Sequence, residues 1–344
     1  MNNITHSESS APPKVALVGC GAIAESFYLP ALARHPEVTA SMIIVDPDRK
    51  RAEAAAAKYH CAPVAADYHQ VLGGVRGAII AVPHNLHHRI AGDFLDAGVH
   101  VLCEKPVTET PEELRDLIAR AGRSGVTLGV NNTRRLYPSA IKVKELLDAG
   151  AIGTVRSLVY LDGSEFDWPT ASGFYFNSGE SSKGILLDIG AHVLDLVCWW
   201  LKGKPEVTSS ENDSFGGTEA VASVKFTLGA CSGEVRLSRL SKLSNTYTIT
   251  GDRGVIEGGA YEGGRISLKD SSGKKHEIVC RPPGGRPADS ARALVDNFLG
   301  VIGGKSRPLI AAAEVADSIE LINEAYARAT RFSMPWYARE EVNA

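Results

Sequence analysis

No apolar run in this chain reaches the roughly 18 residues a membrane span needs, which sets aside a transmembrane helix. Positive charge is not in excess. Lys and Arg number 37 against 40 Asp and Glu, a formal net charge of −3, so nucleic acid is offered no basic surface. The first 13 residues are polar and Ser/Asn-rich, without a positive n-region or an apolar h-region, and read as a disordered tail. Paired cysteine spacing is missing too. Cys20, Cys61, Cys103, Cys198, Cys231 and Cys280 are scattered, mostly in apolar stretches, as buried reduced thiols are; that points to the cytoplasm. There is no internal repeat and no low-complexity linker. What remains is an ordinary globular composition, 44% hydrophobic and 22% charged over 344 residues. At roughly 100–200 residues per domain, that is enough for two.

Over the first 130 or so residues, short apolar runs alternate with helical patterns. The runs are Lys14–Val18, Ala40–Val45, Gly77–Val82, Val99–Cys103 and Val126–Val130. Between them lie the helical stretches Ala22–Arg34, Arg49–Tyr59, His87–Ala97 and Pro111–Ser124. Such alternation predicts a parallel sheet covered by helices on both faces. The pattern then changes. A helix over Ser139–Ala149 leads to a strand over Val155–Leu161, a single helix spans Ile185–Leu201, and from Glu206 to Cys280 successive strands are separated by Gly and Ser. That predicts an antiparallel sheet. Helices over Ser290–Gly300 and Ala311–Thr330 close the chain.

Three stretches carry chemistry. Gly19-Cys20-Gly21-Ala22-Ile23-Ala24 leaves the first strand and opens the first helix. Gly19 permits the tight turn, Gly21 lets backbone approach a pyrophosphate, and Ala22 and Ile23 begin the helix whose free N–H groups would hold it. Asp46 ends the second strand, where a carboxylate can accept from a ribose 2′-OH and repel a 2′-phosphate. NAD is favoured over NADP on that ground, a preference that the nearby Arg49 and Lys50 weaken. The competing reading is an ordinary strand–helix turn with a solvent-facing Asp. The second stretch, HVLCEKP, ends a buried strand on Glu104-Lys105-Pro106. A lysine beyond the carboxyl end of a strand can reach a ligand there; a strand-end salt bridge with a turn proline is equally compatible. In the third stretch, Asp188, His192 and Asp195 stand at i, i+4 and i+7, one face of an otherwise apolar helix. A satisfied core histidine, a metal site and a catalytic pair compete for that pattern. No further ligands at helpful spacing accompany it, so no metal is expected.

With AVPHNLHHRIAGDFLDAGVHVLCEKP and GILLDIGAHVLDLVCWW following the glycine loop in order, the chain resembles the Gfo/Idh/MocA oxidoreductases, glucose–fructose oxidoreductase, inositol dehydrogenase and relatives. The likeness runs from about Lys14 to Arg331. It implies an α/β protein: a Rossmann NAD(P)-binding domain over 14–133, then an α+β substrate and oligomerisation domain over 134–344 with a large, mostly antiparallel open sheet. Such a sheet is often buried between subunits, and a homodimer or homotetramer follows because an exposed apolar sheet face invites pairing.

The resemblance also implies roles. Lys105 matches the family's active-site lysine, in contact with cofactor and substrate hydroxyl, and its bond to Pro106 is often cis in relatives. Pro83, Leu86 and His87 match a loop of the form Pro-Asn-x-Leu-His that lies along the cofactor, with His84 in place of the usual Asn. Glu104 falls near the nicotinamide ribose, and Asn132 and Arg134 border the active site. Asp188-Ile189-Gly190-Ala191-His192 matches the family's Asp-x-Gly-x-His motif. His192 then acts as general acid/base, Asp188 binds a hydroxyl or orients the imidazole, Lys105 stabilises developing negative charge, and Asp195 is structural.

The aromatic stretch DGSEFDWPTASGFYFNSG combines Phe166, Trp168, Phe174, Tyr175 and Phe176 with Glu165, Asp167 and Asn177. That mixture suits the faces and hydroxyls of a sugar, or else packs as a hydrophobic loop. No Arg/Lys cluster for a nucleotide diphosphate is evident, which favours a free sugar or cyclitol. The expectation is an NAD(P)-dependent oxidoreductase acting on a sugar, cyclitol or sugar derivative. Two rivals are a redox-assisted glycoside hydrolase of the same fold and a non-enzymatic cofactor-sensing regulator.

Overall fold

The computed structural model describes residues 14–61, 63–169, 183–214, 217–261, 264–282 and 289–333. The 1–13 tail and the aromatic residues Phe174, Tyr175 and Phe176 lie outside them, as does Asn177.

The first sheet has six parallel strands: β1 (Val15–Val18), β2 (Ile43–Val45), β3 (Val64–Ala65), β4 (Gly77–Ile80), β5 (His100–Glu104) and β6 (Leu128–Asn131). Their order is β3-β2-β1-β4-β5-β6, a doubly wound sheet whose winding reverses between β1 and β4. Four of its strands are buried on both faces, which explains their unbroken apolar runs. β3 has two residues and no apolar pattern, and sequence reading passed over it. After β1 comes a π-helical turn, Ala24–Tyr28, running on into α1 (Leu29–Leu32). Then follow α2 (Pro36–Thr39), α3 (Arg49–Tyr59), α4 (His87–Asp96) and α5 (Pro111–Ser124). α5 starts on a reciprocal cap in which Thr110 accepts from the Glu113 N–H and Glu113 accepts from the Thr110 N–H.

Beyond α6 (Pro138–Asp148) comes β7 (Val155–Gly163). The predicted single helix over Ile185–Leu201 is α7 (Ile185–Asp188) running on through Ile189, itself in helical backbone geometry, into α8 (Gly190–Leu201). The second sheet adds β8 (Glu206–Asn212), β9 (Val221–Leu228), β10 (Cys231–Ser238), β11 (Thr246–Gly251), β12 (Val255–Gly259), β13 (Arg265–Lys269), β14 (Lys275–Val279) and β15 (Ala329–Arg331). Its nine strands run β14-β13-β12-β11-β7-β10-β9-β8-β15. Most pairs are antiparallel; β10 with β7 and β15 with β8 are parallel. β15 takes residues predicted as the end of the last helix.

α8 and the late helix α10 (Ala316–Ala327) cover one face of this sheet, burying Leu158, Tyr160, Val193, Trp200 and Leu321 in one core. The register aligns the opposite face residue by residue. Lys225 pairs with Glu234, Glu234 with Val159, Val159 with Thr248, and Thr248 with Glu257. This row is largely charged and hydroxylic, with Val159 alone apolar at its centre. The expectation of an apolar open face is corrected: alternation along β9 to β12 places the apolar residues under the helices. The α9 helix (Ser290–Ile302) returns to the first sheet, where Leu294, Val295, Phe298 and Ile302 share a core with Leu17 and Ile79.

Candidate active site

Every first-domain site segment leaves the carboxyl end of a parallel strand: the glycine loop after β1, Asp46 after β2, Pro83 and His84 after β4, Lys105 after β5, Asn132 after β6. In a doubly wound sheet these ends gather at one edge, so sequence-distant residues share one crevice.

Gly19 has φ +96°, and a Cβ there would run into the Ala81 carbonyl, so both the turn and the strand packing require glycine. At Gly21 an added Cβ meets nothing within 4 Å. The space beside its backbone is therefore open toward the start of the Ala22 helix, where first-turn N–H groups lack intrahelical partners. Glycine loop and open helix start fit a dinucleotide pyrophosphate. Asp46 is buried rather than solvent-facing. It accepts from the Cys20 and Asp48 N–H groups, each at 2.8 Å, with Arg51 Nη1 3.6 Å away. Asp46 thus also pins the glycine loop to β2, a second duty the sequence did not announce.

The Glu-Lys-Pro turn divides its labour. The Lys105–Pro106 peptide is cis. Glu104 turns inward and accepts from Tyr28 Oη at 2.7 Å and Asn131 Nδ2 at 2.5 Å. Burial pushes its carboxyl above the usual range, against the pull of Tyr28 and Lys105. Its hydrogen bonds among the described residues are to protein groups, which gives Glu104 a bracing duty in this turn. Lys105 turns the other way. Its Nζ donates to Asp188 Oδ1, and to the Asp188 carbonyl at 3.1 Å.

His87 and His84 brace the same turn. His87 is buried, with Nδ1 2.7 Å from Pro106 O and Nε2 2.9 Å from Val82 O. Two acceptors are one more than a neutral imidazole can serve. Burial nonetheless pushes its pKa down to about 4, and we assign the single N–H to the shorter contact. With both ring nitrogens close to backbone carbonyls, His87 ties the β4 loop to the Glu-Lys-Pro turn. His84 Nδ1 lies 2.6 Å from Glu109 Oε1, and Leu86 packs against the first-domain core beside Pro83.

The helix motif separates its polar residues. Asp188 is clamped on both oxygens, Oδ1 by Lys105 and Oδ2 by Arg239 Nη2. Burial opposes its charge, yet Lys105 and Arg239 hold the carboxyl well below the ordinary range. His192 is half-buried. Its Nδ1 is sealed and without a hydrogen-bond partner among the described residues, so the Nε2 edge is the one toward the cleft. Burial first, then the charges of Lys105 and Arg134, push this imidazole well below its usual pKa. Asp195 is turned away and buried, accepting two 2.7 Å bonds from Arg135 and a further one from Asn132. Asp188 and Asp195 lie two turns, about 10 Å, apart along the helix axis, so they serve different neighbours.

The remaining expected residues scatter around this centre. Arg134 is buried, 2.5 Å from Asp162 Oδ2 and over the Tyr261 ring, and reaches His192 through its field. Asn132 is buried with an unpartnered Oδ1. Phe166 lies under the Arg239 guanidinium, 5.1 Å from its carbon, whereas Trp168 is exposed. Among the described residues no group of three or more His, Cys, Asp or Glu could hold a metal ion. All six cysteines are free.

Two contributors had escaped sequence reading. Arg239 follows a strand with no motif around it. Glu219 accepts from the Gly184 and Leu186 N–H groups at 2.9 and 3.0 Å and from Tyr326 Oη at 2.7 Å, capping the start of the helix that carries Asp188. Sequence holds no local signal for it, because Glu219 and Gly184 are 35 positions apart.

Fold and crevice define the class, a two-domain chain built on a dinucleotide-binding Rossmann sheet. Residues 13–132 match the model of an oxidoreductase family with an NAD-binding Rossmann fold, and residues 140–257 match the Gfo/Idh/MocA C-terminal domain. Trans-1,2-dihydrobenzene-1,2-diol dehydrogenase of Oryctolagus cuniculus is 30% identical over 70% of this chain and 74% of its own length. The chain belongs to the Gfo/Idh/MocA oxidoreductase family. D-glucoside 3-dehydrogenase of Escherichia coli (strain K12) is 28% identical over 60% of this chain, a match that spans 59% of that relative. A 3-ketoreductase from Actinomadura kijaniata, solved with NADP and TDP-benzene, shares the fold at a TM-score of 0.80 and 20% identity, over 94% of this chain and all of its own.

Proposed function

We propose that this chain is an NAD(P)-dependent dehydrogenase or reductase that moves hydride between the nicotinamide and a secondary alcohol or ketone of a sugar, cyclitol or sugar derivative. The observation that carries the reading is the convergence of Lys105, which leaves the carboxyl end of a Rossmann strand, with Asp188 and His192. The Gly19–Ile23 loop would hold the pyrophosphate, Pro83 and Leu86 would flank the cofactor, and Asp46 favours NAD, a preference tempered by Arg51 beside it. When bound, the nicotinamide accepts or returns the hydride. The protein handles the proton. His192, neutral at pH 7, takes it from the carbinol oxygen through Nε2. Lys105 stabilises the charge developing on that oxygen, and Asp188, ionised, accepts from a neighbouring hydroxyl. Phe166 and Trp168 offer ring faces to the sugar, with Arg134 and Asn132 supporting from below.

The relatives' names support a carbohydrate: one is a glucoside dehydrogenase and another a 3-ketoreductase. The same reading places the enzyme in the cytoplasm as a homodimer or homotetramer joined through the second sheet. Among the described residues no helix is long and apolar enough to cross a membrane. The test is reduction of NAD, then NADP, followed by near-ultraviolet absorbance against a panel of sugars, inositols and aldonates. A rise on a cyclic polyol supports the proposal. Silence across that panel, and across the matching ketones with reduced cofactor, would sink it.

A further inference from the structure

Lys105 and Asp188 both sit in motifs; the third member of their cluster does not. Arg239 stands just past β10, and its backbone is fixed on two sides. Its N–H donates to Ala220 O at 2.8 Å, and its carbonyl accepts from the Phe166 N–H at 3.0 Å. Immediately afterwards the Leu240 and Ser241 N–H groups fold back onto Ser238 Oγ at 3.2 and 3.1 Å, turning the chain. The guanidinium lies over the Phe166 ring and ends on Asp188 Oδ2, while Lys105 takes Oδ1. All three charged side chains are largely buried, at 11% exposure for Arg239 and 15% each for Lys105 and Asp188.

We propose that Arg239 is a positioning residue for Asp188, which it clamps together with Lys105, one oxygen each, and couples to the Phe166 segment of the substrate side. The inference rests on the dehydrogenase reading above, which places Asp188 and His192 at the reacting carbinol. A carboxylate held at one oxygen turns about its last bond; held at both, it keeps one orientation. The charged and titratable groups acting most strongly on Asp188 include Lys105 from the β5 end, Arg239 from beyond β10, and His192 from the same helix. Two cations against one carboxylate keep Asp188 ionised, so it has no proton to give and the carbinol proton is left to His192.

The experiment compares the wild-type protein with Arg239→Gln and Arg239→Lys, each loaded with cofactor. Isotope-edited infrared spectra of ¹³C-Asp protein, with the Asp188→Asn spectrum subtracted, read the Asp188 titration without any turnover. In Arg239→Gln, Asp188 should protonate about 1–3 pH units higher than in the wild type. Its kcat/KM on the active polyol should fall about 10–100-fold. Arg239→Lys should restore the titration and only part of kcat, because a point charge cannot hold the oxygen as the planar fork does. A folded Arg239→Gln with wild-type titration and wild-type kcat/KM overturns the proposal. If that variant does not fold, wild-type titration together with wild-type kcat and KM in Arg239→Lys does the same. A wild-type protein silent on every polyol and ketone removes the dehydrogenase reading instead, and the titration alone then decides the clamp.

Discussion

His192 keeps one ring edge sealed, and burial with the charges of Lys105 and Arg134 outweighs the pull of Asp188, so its protonated form is disfavoured. For the oxidative direction the sign is plain. The base must be unprotonated, its pKa lies below the ordinary value of about 6.5, and the acid limb of kcat/KM should therefore fall below that pH. A pH–rate profile whose acid limb lies above pH 6.5 or so would contradict the neutral-base assignment. Replacing the base is the companion test. His192→Asn should lose about 10²–10⁴-fold in kcat while cofactor titration by fluorescence stays at wild type, because the residues that would hold the pyrophosphate and ribose belong to the first domain. Cys20 carries no such role. Burial, with Asp46 beside it, pushes its thiol up to about 12, so it packs the loop as an apolar side chain.

The working elements are held by residues borrowed from elsewhere in the chain. α7 begins where Gly184 packs so tightly on Glu219 backbone that no Cβ fits, and the Glu219 carboxylate then caps the freed N–H groups. Tyr326 of α10 completes the cap, donating to Glu219 and accepting from the Leu187 N–H at 3.1 Å. Glu219→Ala removes a buried charged acceptor and orphans its donors. It should cost about 2 kcal/mol in chemical denaturation and lower kcat with it, because Asp188 closes the turn that the cap starts. Loss of stability with unchanged kcat would show that α7 is held without it. At the other wall, Gly19→Ala forces a side chain into the left-handed region against the Ala81 carbonyl. Cofactor affinity should drop sharply in a fluorescence titration, while Gly21→Ala, with open space around it, should fold normally and lose only cofactor binding.

For the whole molecule, the buried His87 links stability to pH. Its folded pKa is depressed to about 4, so between about pH 6.5 and that value the unfolded chain binds a proton the folded one refuses. Stability should therefore fall as pH drops through this window, by about 3 kcal/mol at most for this one group. Thermal melts of His87→Gln against wild type, run from neutral pH downward, read the difference, and parallel curves would discount the linkage. The polar row across the second sheet, Lys225-Glu234-Val159-Thr248-Glu257, bears on assembly. A subunit contact built on it is a contact of paired charges and hydroxyls, so sedimentation equilibrium at rising salt should show the assembly weakening. A monomer at every salt concentration would end the proposal of pairing through this face.

Much of this was open to reading from order and spacing, since those properties are local. Runs such as GAIIAV are strands because both sheet faces are buried, and Gly19 declares a turn because only glycine tolerates its positive φ against the Ala81 carbonyl. Asp188 and His192 are four apart, and helical periodicity brings them to one side whatever surrounds them. Spacing could not say which side chains would turn inward. Glu104 and Lys105 are adjacent in the chain and point to opposite fates, one into the Tyr28–Asn131 network and one into the cleft. His87 braces the turn through its backbone contacts, and Asp188 and Asp195, on one helix face, are paired with different arginines. Arg239, Glu219 and Tyr326 had no local signature, because their meaning lies in contacts spanning 35 to 139 positions. The sequence by itself determined the sheets, the glycine loop and the motif residues, through short-range sterics and hydrophobic period. Only the tertiary structure decided how charge is distributed among them, because burial and pairing of ionised groups depend on neighbours that the chain supplies from far away.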